Sequence, residues 1–317
     1  MNKVGFIFPG QGSQSTGMGH DLYDNIETSK DVFERANSIL NKKISDICFN
    51  GPDEELRKTI NAQVAIVTTS IAALEAFRSK SNIKPAITLG HSLGEYCAMY
   101  CAYVMDLSTT IKAIQRRSEL MDEATKLSQG AMSAVLGADI ELIKKCINDA
   151  SSFGLVEIAN YNNPSQIVIT GEVEAVNKAG EFLKAQGVRK VISLAVSGGF
   201  HSKLMTSARD GFVDFVKNLD LKDAKIPVIT NVDAEFTKKA DEFRAKMPNQ
   251  INHSVMWLQS IQKAVNEGVD TFVEFGNGKV LAGLNAKISP DIKTYNVFDT
   301  NSLNETIAAL EAQAVVI

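Results

Sequence analysis

The chain has 317 residues, of which 44% are hydrophobic and 22% are charged, and its net charge at pH 7 is −4. The composition is that of a globular protein with a large core, in one large or two ordinary domains. The acidic balance excludes a globally basic surface for nucleic acid, and we expect no signal peptide and no stretch long enough to span a bilayer. The four cysteines form no Cys-x-x-Cys pair and no metal-ligand cluster, which predicts a reducing, cytoplasmic location and no bound metal.

Strands and helices alternate in the first 127 residues. Residues 4–8 are predicted to form a buried strand, and the segment PGQGSQ after them is too rich in glycine to be helical. A second strand is predicted at 87–89. Helices are predicted at 31–40, at 61–78 and from the N-cap Ser108 to about Thr125.

The pattern changes between about 130 and 196. The predicted order is βαββαβ, with helices at 140–149 and 172–186 and strands at 131–137, 155–160, 166–171 and 188–196. This is the order of the ferredoxin-like split unit. We therefore predict a ferredoxin-like subdomain at 128–196, inserted into a larger domain formed by residues 1–127 and 197–317.

The alternation resumes after this insertion. The strands are predicted at 226–231, 271–276 and 294–299. The helices are predicted at 202–219, at 255–266, in a segment opened by GNGKVL and in a last segment with a Ser302–Glu305 capping box. Alternation of this kind predicts an α/β domain whose mostly parallel sheet is covered by helices on both faces.

A serine stands between two glycines where a strand is predicted to turn into a helix. In the segment ITLGHSLGEY, Gly90, Ser92 and Gly94 have the spacing of a nucleophile elbow, which exposes the serine hydroxyl at the start of a helix. The alternative is a chance match, because the five-residue pattern is short.

A serine nucleophile needs a base, and the chain has four histidines. Of these, His201 follows a predicted strand, and sites in parallel α/β sheets form at the carboxyl ends of strands. We therefore expect Ser92 and His201 to meet there. Since no acid stands out between them, the sequence favours a Ser–His dyad whose imidazole is oriented by a backbone carbonyl or an amide. The alternative for His201 is an ordinary histidine at a helix N-terminus.

Two further features fit acyl chemistry. The backbone amides of Leu93 and of Gln11, in the PGQGSQ loop, are placed to donate to an oxyanion. The alternative of a phosphate loop lacks GxGxxG and GK[ST]. Arg117 shares an apolar helix face with Ile114 and Met121, so its charge needs an anion, either in a structural salt bridge or in a substrate carboxylate.

Taken in order, the motifs resemble those of the malonyl-CoA:acyl carrier protein transacylases, in the acyltransferase family of fatty acid and polyketide synthesis. The resemblance covers essentially the whole chain, and its pieces are FPGQGSQ, GMG at 17–19, the Gln63 helix, GHSLGEY, QRRSELM, NYNNPSQ, VSGGFHS, the stretch 249–257 and GNGKVLAGL. Asn277 and Ser254 stand where the family more often has proline.

The resemblance implies an α/β-hydrolase-like large domain with the ferredoxin-like insertion, and a site in the cleft between them. It further implies a role for each of a set of residues: Ser92 as nucleophile, His201 as base, Gln250 as the orienting carbonyl with Gln63 and His91 in support, Gln11 and Leu93 as oxyanion donors, Arg117 as the carboxylate clamp, and Asn160 and Phe200 in the pocket. The implied partners are malonyl-CoA and acyl carrier protein, with no cofactor beyond the coenzyme A thioester and the phosphopantetheine of the carrier.

Three other functions use parts of the same pattern. They are an acyltransferase serving a polyketide synthase, a thioester hydrolase in which water replaces the carrier thiol, and a non-catalytic module that binds the carrier. The net acidic protein would meet the carrier through a local basic patch, for which Arg189, Lys190 and Lys203 are candidates.

Overall fold

The structure is a computed structural model, and it describes residues 3–315. Ten strands and fourteen helices are described in this range. The strands are β1 (Lys3–Phe8), β2 (Ile87–Gly90), β3 (Gly130–Leu136), β4 (Val156–Asn163), β5 (Gln166–Glu172), β6 (Lys190–Ser193), β7 (Val228–Ile229), β8 (Phe236–Thr237), β9 (Val269–Phe275) and β10 (Lys293–Val297).

The helices surround two sheets. They are α1 (His20–Asn25), α2 (Glu27–Leu40), α3 (Ile44–Asn50), α4 (Asp53–Arg57), α5 (Thr59–Lys80), α6 (Gly94–Cys101), α7 (Leu107–Leu127), α8 (Ile140–Ala150), α9 (Val173–Ala185), α10 (Thr206–Lys217), α11 (Ala240–Asn249), α12 (Trp257–Asn266), α13 (Val280–Ile288) and α14 (Thr300–Val315). A short 3₁₀ turn at 151–153 follows α8, and another at 203–205 replaces the first turn of the helix predicted at 202–219.

The larger sheet has six strands in the order β10-β9-β1-β2-β7-β8. Its strands are parallel except β8, which pairs with β7 in the antiparallel sense. The sheet is therefore mixed rather than wholly parallel. The reason is the short turn at 230–235, which is too short for a parallel crossover. With helices packed around it, this is an α/β fold.

The smaller sheet has four antiparallel strands in the order β4-β5-β3-β6. Together with α8 and α9 it follows the predicted order βαββαβ along the chain. The two helices and the sheet enclose a hydrophobic cluster of their own, which includes Ile143, Ile169 and Leu183. The last strand is shorter than predicted, because residues 194–200 leave the sheet as a loop.

The longest helix, α5, runs through the core. An 18-residue window of it has a mean hydropathy of 1.4, so by length and composition it is long enough and apolar enough to cross a membrane. The expectation that no stretch has this length was therefore wrong. The window is 89% buried inside the protein, and such burial is typical of a central core helix.

Two predicted helix caps were wrong. The helix assigned to an N-cap at Ser108 begins at Leu107, and the Asp106 carboxylate accepts the Thr109 N–H at 2.7 Å. Ser302 likewise lies inside α14, and its N–H donates to the Asp299 carboxylate at 2.7 Å. In both cases an aspartate a few residues upstream offers a charged acceptor to the helix amides, which is a stronger bond than a hydroxyl makes.

Candidate active site

The predicted elbow forms at the end of β2. Ser92 has φ +52°, in the left-handed region that non-glycine residues rarely adopt. Both flanking glycines are required by space, because a Cβ on Gly90 would lie 2.0 Å from the carbonyl carbon of Gly94, and a Cβ on Gly94 would lie 2.2 Å from the Phe8 oxygen. The tight turn points the Ser92 side chain into a cavity, at the N-terminus of α6.

His201 is in hydrogen-bonding contact with this serine. Its Nε2 lies 2.8 Å from Ser92 Oγ, and its Nδ1 lies 3.0 Å from the backbone oxygen of Gln250 and 3.1 Å from that of His253. The imidazole is thus oriented by backbone carbonyls, one of them from the predicted Gln250. No carboxylate partner of His201 is found in the part of the chain that the structure describes.

The expected position of His201 at a strand end of the large sheet was wrong. The strand before it, β6, belongs to the small antiparallel sheet, and the loop 194–200 carries the chain back toward Ser92. Proximity to the serine therefore depends on how the two sheets pack, and the carboxyl-end rule for parallel sheets does not apply to this residue.

Arg117 is buried beside the same serine. Its side chain is only 1% exposed, and its guanidinium donates to Ser92 Oγ at 3.2 Å, to Gln63 Oε1 at 2.6 Å and to Gln250 Oε1 at 3.0 Å. All three acceptors are neutral. The guanidinium is therefore buried without a salt bridge among the described residues, and its Nε has no hydrogen-bond partner there either. An arriving carboxylate would supply the missing anion.

Gln63 and His91 do not support His201 as the resemblance implied. Gln63 bonds to Arg117 rather than to the catalytic-site histidine, so it orients the guanidinium. His91 Nε2 lies 2.8 Å from Asn162 Oδ1, and its ring lies 5.7 Å from the Trp257 ring. Neither side chain hydrogen-bonds to His201 in the described part of the chain.

The predicted residues surround one cavity of about 410 Å³. Gln11 lines it from the loop after β1, His91 and Ser92 line it from the turn after β2, and Asn160 lines it from β4 of the small sheet. The rest of the lining comes from Gly12, Gln14, Arg57, Gln63, Arg117, Met121, Met132, residues 194–196, Phe200 and His201. Leu93 and Gln250 are not part of this lining. Leu93 follows Ser92 in the chain, and Gln250 donates a hydrogen bond from Nε2 to the Ser92 backbone oxygen.

Burial controls the protonation of the site. Burial and, next in size, the nearby Arg117 guanidinium together lower the pKa of His201 to about 3. Burial also lowers the pKa of His91. The imidazole of His201 is therefore neutral around pH 7, which is the form that can accept a proton from Ser92.

Two neighbours of the serine were missed from the sequence. Asn231 accepts the Ser92 N–H at 2.7 Å, and Glu95, fully buried in the first turn of α6, accepts the Asn231 N–H at 2.6 Å. Burial raises the pKa of Glu95 to about 7. The signal that could have identified Asn231 was its place at the end of a predicted strand, where the sites of parallel sheets collect.

Comparisons with known proteins agree on one family. The chain matches the acyl transferase domain model over residues 5–289. A Bacillus subtilis (strain 168) protein named malonyl CoA-acyl carrier protein transacylase is 42% identical over 315 residues, covering 99% of each chain. A Staphylococcus aureus (strain MRSA252) protein of the same name is 36% identical over 298 residues, covering 94% of this chain and 96% of that one.

Solved structures show the same similarity. The malonyl CoA-acyl carrier protein transacylase of Clostridium perfringens superposes with a TM-score of 0.95, at 37% identity and covering 99% of both chains. A type II PKS acyl-carrier protein in complex with its malonyl-transacylase provides a second match, with a TM-score of 0.94, 34% identity and coverage of 97% of this chain and 99% of that one. The chain belongs to the acyl transferase family and, within it, to the malonyl-CoA–acyl carrier protein transacylases.

Proposed function

We propose that the protein transfers a malonyl group from malonyl-CoA to the pantetheine thiol of an acyl carrier protein, through a malonyl ester on Ser92, and so supplies fatty acid synthesis. The main support for this proposal is the pair of side chains that contact Ser92 Oγ. A neutral imidazole lies 2.8 Å away and a buried guanidinium 3.2 Å away. The first is a base, and the second has no protein carboxylate as partner among the described residues.

In the first half-reaction, His201 Nε2 takes the proton of Ser92 as Oγ attacks the thioester carbonyl. The oxyanion of the tetrahedral intermediate accepts hydrogen bonds from the backbone amides of Leu93 and Gln11. As the carbon–sulfur bond breaks, the coenzyme A sulfur leaves with the proton from His201. The malonyl ester of Ser92 remains, with its free carboxylate held by Arg117.

In the second half-reaction, the pantetheine thiol of the carrier attacks the ester carbonyl and gives its proton to His201. When the tetrahedral intermediate breaks down, Ser92 Oγ leaves and recovers this proton, so the enzyme returns to its starting state. Every proton transfer in this scheme uses the one imidazole, and we propose that the reaction needs no metal and no dissociable redox cofactor.

Two proposals about the fold and one about the cellular location accompany this function. We propose that the large domain, residues 1–127 and 197–317, is α/β-hydrolase-like, supported by the elbow between a parallel strand and α6. Residues 128–196 are proposed as the ferredoxin-like insertion, supported by a separate hydrophobic cluster in that region. A cytoplasmic location is proposed on the four cysteines, which are buried and free.

Intact mass spectrometry after mixing with malonyl-CoA tests the function directly. We expect a single malonyl adduct on the wild type, mapped to Ser92 by peptide analysis, and none on Ser92→Ala. Adding the holo carrier should remove the adduct and transfer it to the carrier. An adduct at another residue would overturn the mechanism, and release of free malonate at the same rate without the carrier would favour a thioester hydrolase.

A second candidate carrier follows from the structural match to a type II PKS complex. The chemistry at Ser92 is the same for a carrier of polyketide synthesis, so only the acceptor differs. Comparing malonyl transfer rates to fatty acid and polyketide carriers decides between them.

A further inference from the structure

Asn231 lies beside the nucleophile, although no step of the proposed reaction uses it. It follows β7, which pairs in parallel with β2, so that Ile229 lies opposite Leu89. Two residues further along, the register brings Asn231 to the level of His91, inside the elbow. The side chain is completely buried.

The Asn231 amide group bridges the two sides of the elbow. Its Oδ1 accepts the backbone N–H of Ser92 at 2.7 Å, and its Nδ2 donates to the backbone oxygen of Gly90 at 2.7 Å. One side chain thus holds the last residue of the strand and the nucleophile at the same time. Both bonds lie in the interior, where an unpaired backbone group is costly.

The bridge supports a strained residue. Ser92 has φ +52°, and such a conformation persists only where the surroundings enforce it. Asn231 Oδ1 accepts the Ser92 N–H, and Gln250 Nε2 donates to the Ser92 carbonyl oxygen at 2.7 Å. Two amide side chains therefore fix both backbone groups of the nucleophile, which sets the direction of Oγ toward His201.

A buried carboxyl fixes the bridge in turn. Glu95 Oε2 accepts the backbone N–H of Asn231 at 2.6 Å, from the first turn of α6. The contacts of Asn231 consequently join the end of β2, the nucleophile and the helix after it into one unit.

We propose that Asn231 is a positioning residue for the nucleophile, which holds Ser92 in its strained conformation and so aligns Oγ for attack. The inference rests on the proposed function in that Ser92 is the acylated residue. It concerns the reactivity of the serine, however, and not the recognition of the malonyl carboxylate, which involves Arg117.

The test is Asn231→Ala in single-turnover acylation, with malonyl-CoA and acetyl-CoA as separate donors. Because small misplacement of a reacting group costs up to about 100-fold, we expect the limiting rate constant to fall roughly 10- to 100-fold. The half-saturating donor concentration and the final yield of acyl-serine should stay at wild-type values, and both donors should be slowed alike. The rate of Ser92 labelling by a fluorophosphonate should fall in parallel.

The matched control is Asp233→Asn, on the same turn. Asp233 accepts a hydrogen bond from Thr230 and pairs with Lys246, but it does not contact the elbow. The rate of Ser92 acylation in this variant should therefore equal that of the wild type. An unchanged rate in Asn231→Ala, a lower yield at an unchanged rate constant, or a loss confined to malonyl-CoA would each overturn the inference. If the wild type formed no malonyl-serine, the proposed function would fail, and the fluorophosphonate rates of the two proteins would still decide the role of Asn231.

Discussion

The guanidinium of Arg117 donates to the hydroxyl of Ser92 at 3.2 Å, from a side chain that is 1% exposed. Its two other acceptors are the amide oxygens of Gln63 and Gln250. A buried cation whose partners are all neutral is poorly stabilised by the protein alone. We propose that a ligand carboxylate completes its coordination beside Ser92, so that the site selects an acyl group with a free carboxylate.

Replacing Arg117 by alanine should invert the donor preference. Loss of one partner of a buried ion pair costs roughly 3–5 kcal/mol, so malonyl-CoA use should fall by about two to four decades. Acetyl-CoA has no carboxylate to lose and should react as well as before or better. Acyl-serine formation from each donor measures the ratio. Arg116→Ala is the control, since Arg116 pairs with Glu119 at 3.3 Å on a more exposed side of the helix. An equal loss for both donors would make Arg117 structural.

Replacing His201 by alanine should slow acylation while the fold is kept. A general base contributes roughly 10²–10⁴-fold, and His201, the proposed base, lies 2.8 Å from Ser92 Oγ. Rapid-quench measurement of acyl-serine formation gives the effect. The control is His20→Ala, because His20 lies on α1 and outside the cavity lining. An unchanged single-turnover rate for the His201 variant would remove it from the mechanism.

The acylation rate should resist acid. Burial and Arg117 lower the pKa of His201 to about 3, so the imidazole stays neutral as the pH falls through 6.5, where a free histidine takes up a proton. Because kcat/KM reports the ionisations of the free enzyme, it should show no loss of the base near pH 6.5. Stopped-flow acylation between about pH 5 and 8 checks this. Because the pKa of Glu95 is raised to about 7, a fall near the ordinary histidine pKa that persists in Glu95→Gln would show that His201 is more solvated than its burial indicates.

Carrier transfer should depend on a basic groove next to the small sheet. Arg189 and Lys190 line a groove of about 880 Å³ together with Lys287, and its lining contains no acidic residue within the described range. Lys203, by contrast, pairs with Glu157 at 3.4 Å. Lys190→Glu should reduce kcat/KM for transfer to an acidic carrier and weaken its salt dependence, as electrostatic docking requires. Lys217→Glu, outside the groove, is the control, and carrier affinity insensitive to salt would contradict this docking surface.

The sequence by itself determined which local pieces exist. The elbow follows from Gly90, Ser92 and Gly94, because only glycine fits the close backbone approaches on either side. The apolar face of α7 follows from helical spacing, which buries Arg117 with Ile114 and Met121. The βαββαβ order follows from the alternation of short apolar runs. These features depend on neighbours in the chain, so periodicity and steric rules suffice to predict them.

Tertiary structure alone decided which of these pieces meet. His201 reaches Ser92 from a loop after the small sheet, Gln63 turns to Arg117 rather than to His201, and Asn231 enters the elbow because β7 lies next to β2. Strand order and the packing of one sheet on the other bring together residues far apart in the chain. No local sequence pattern encodes these contacts, because they arise when many helices and strands bury their apolar faces against one another at the same time.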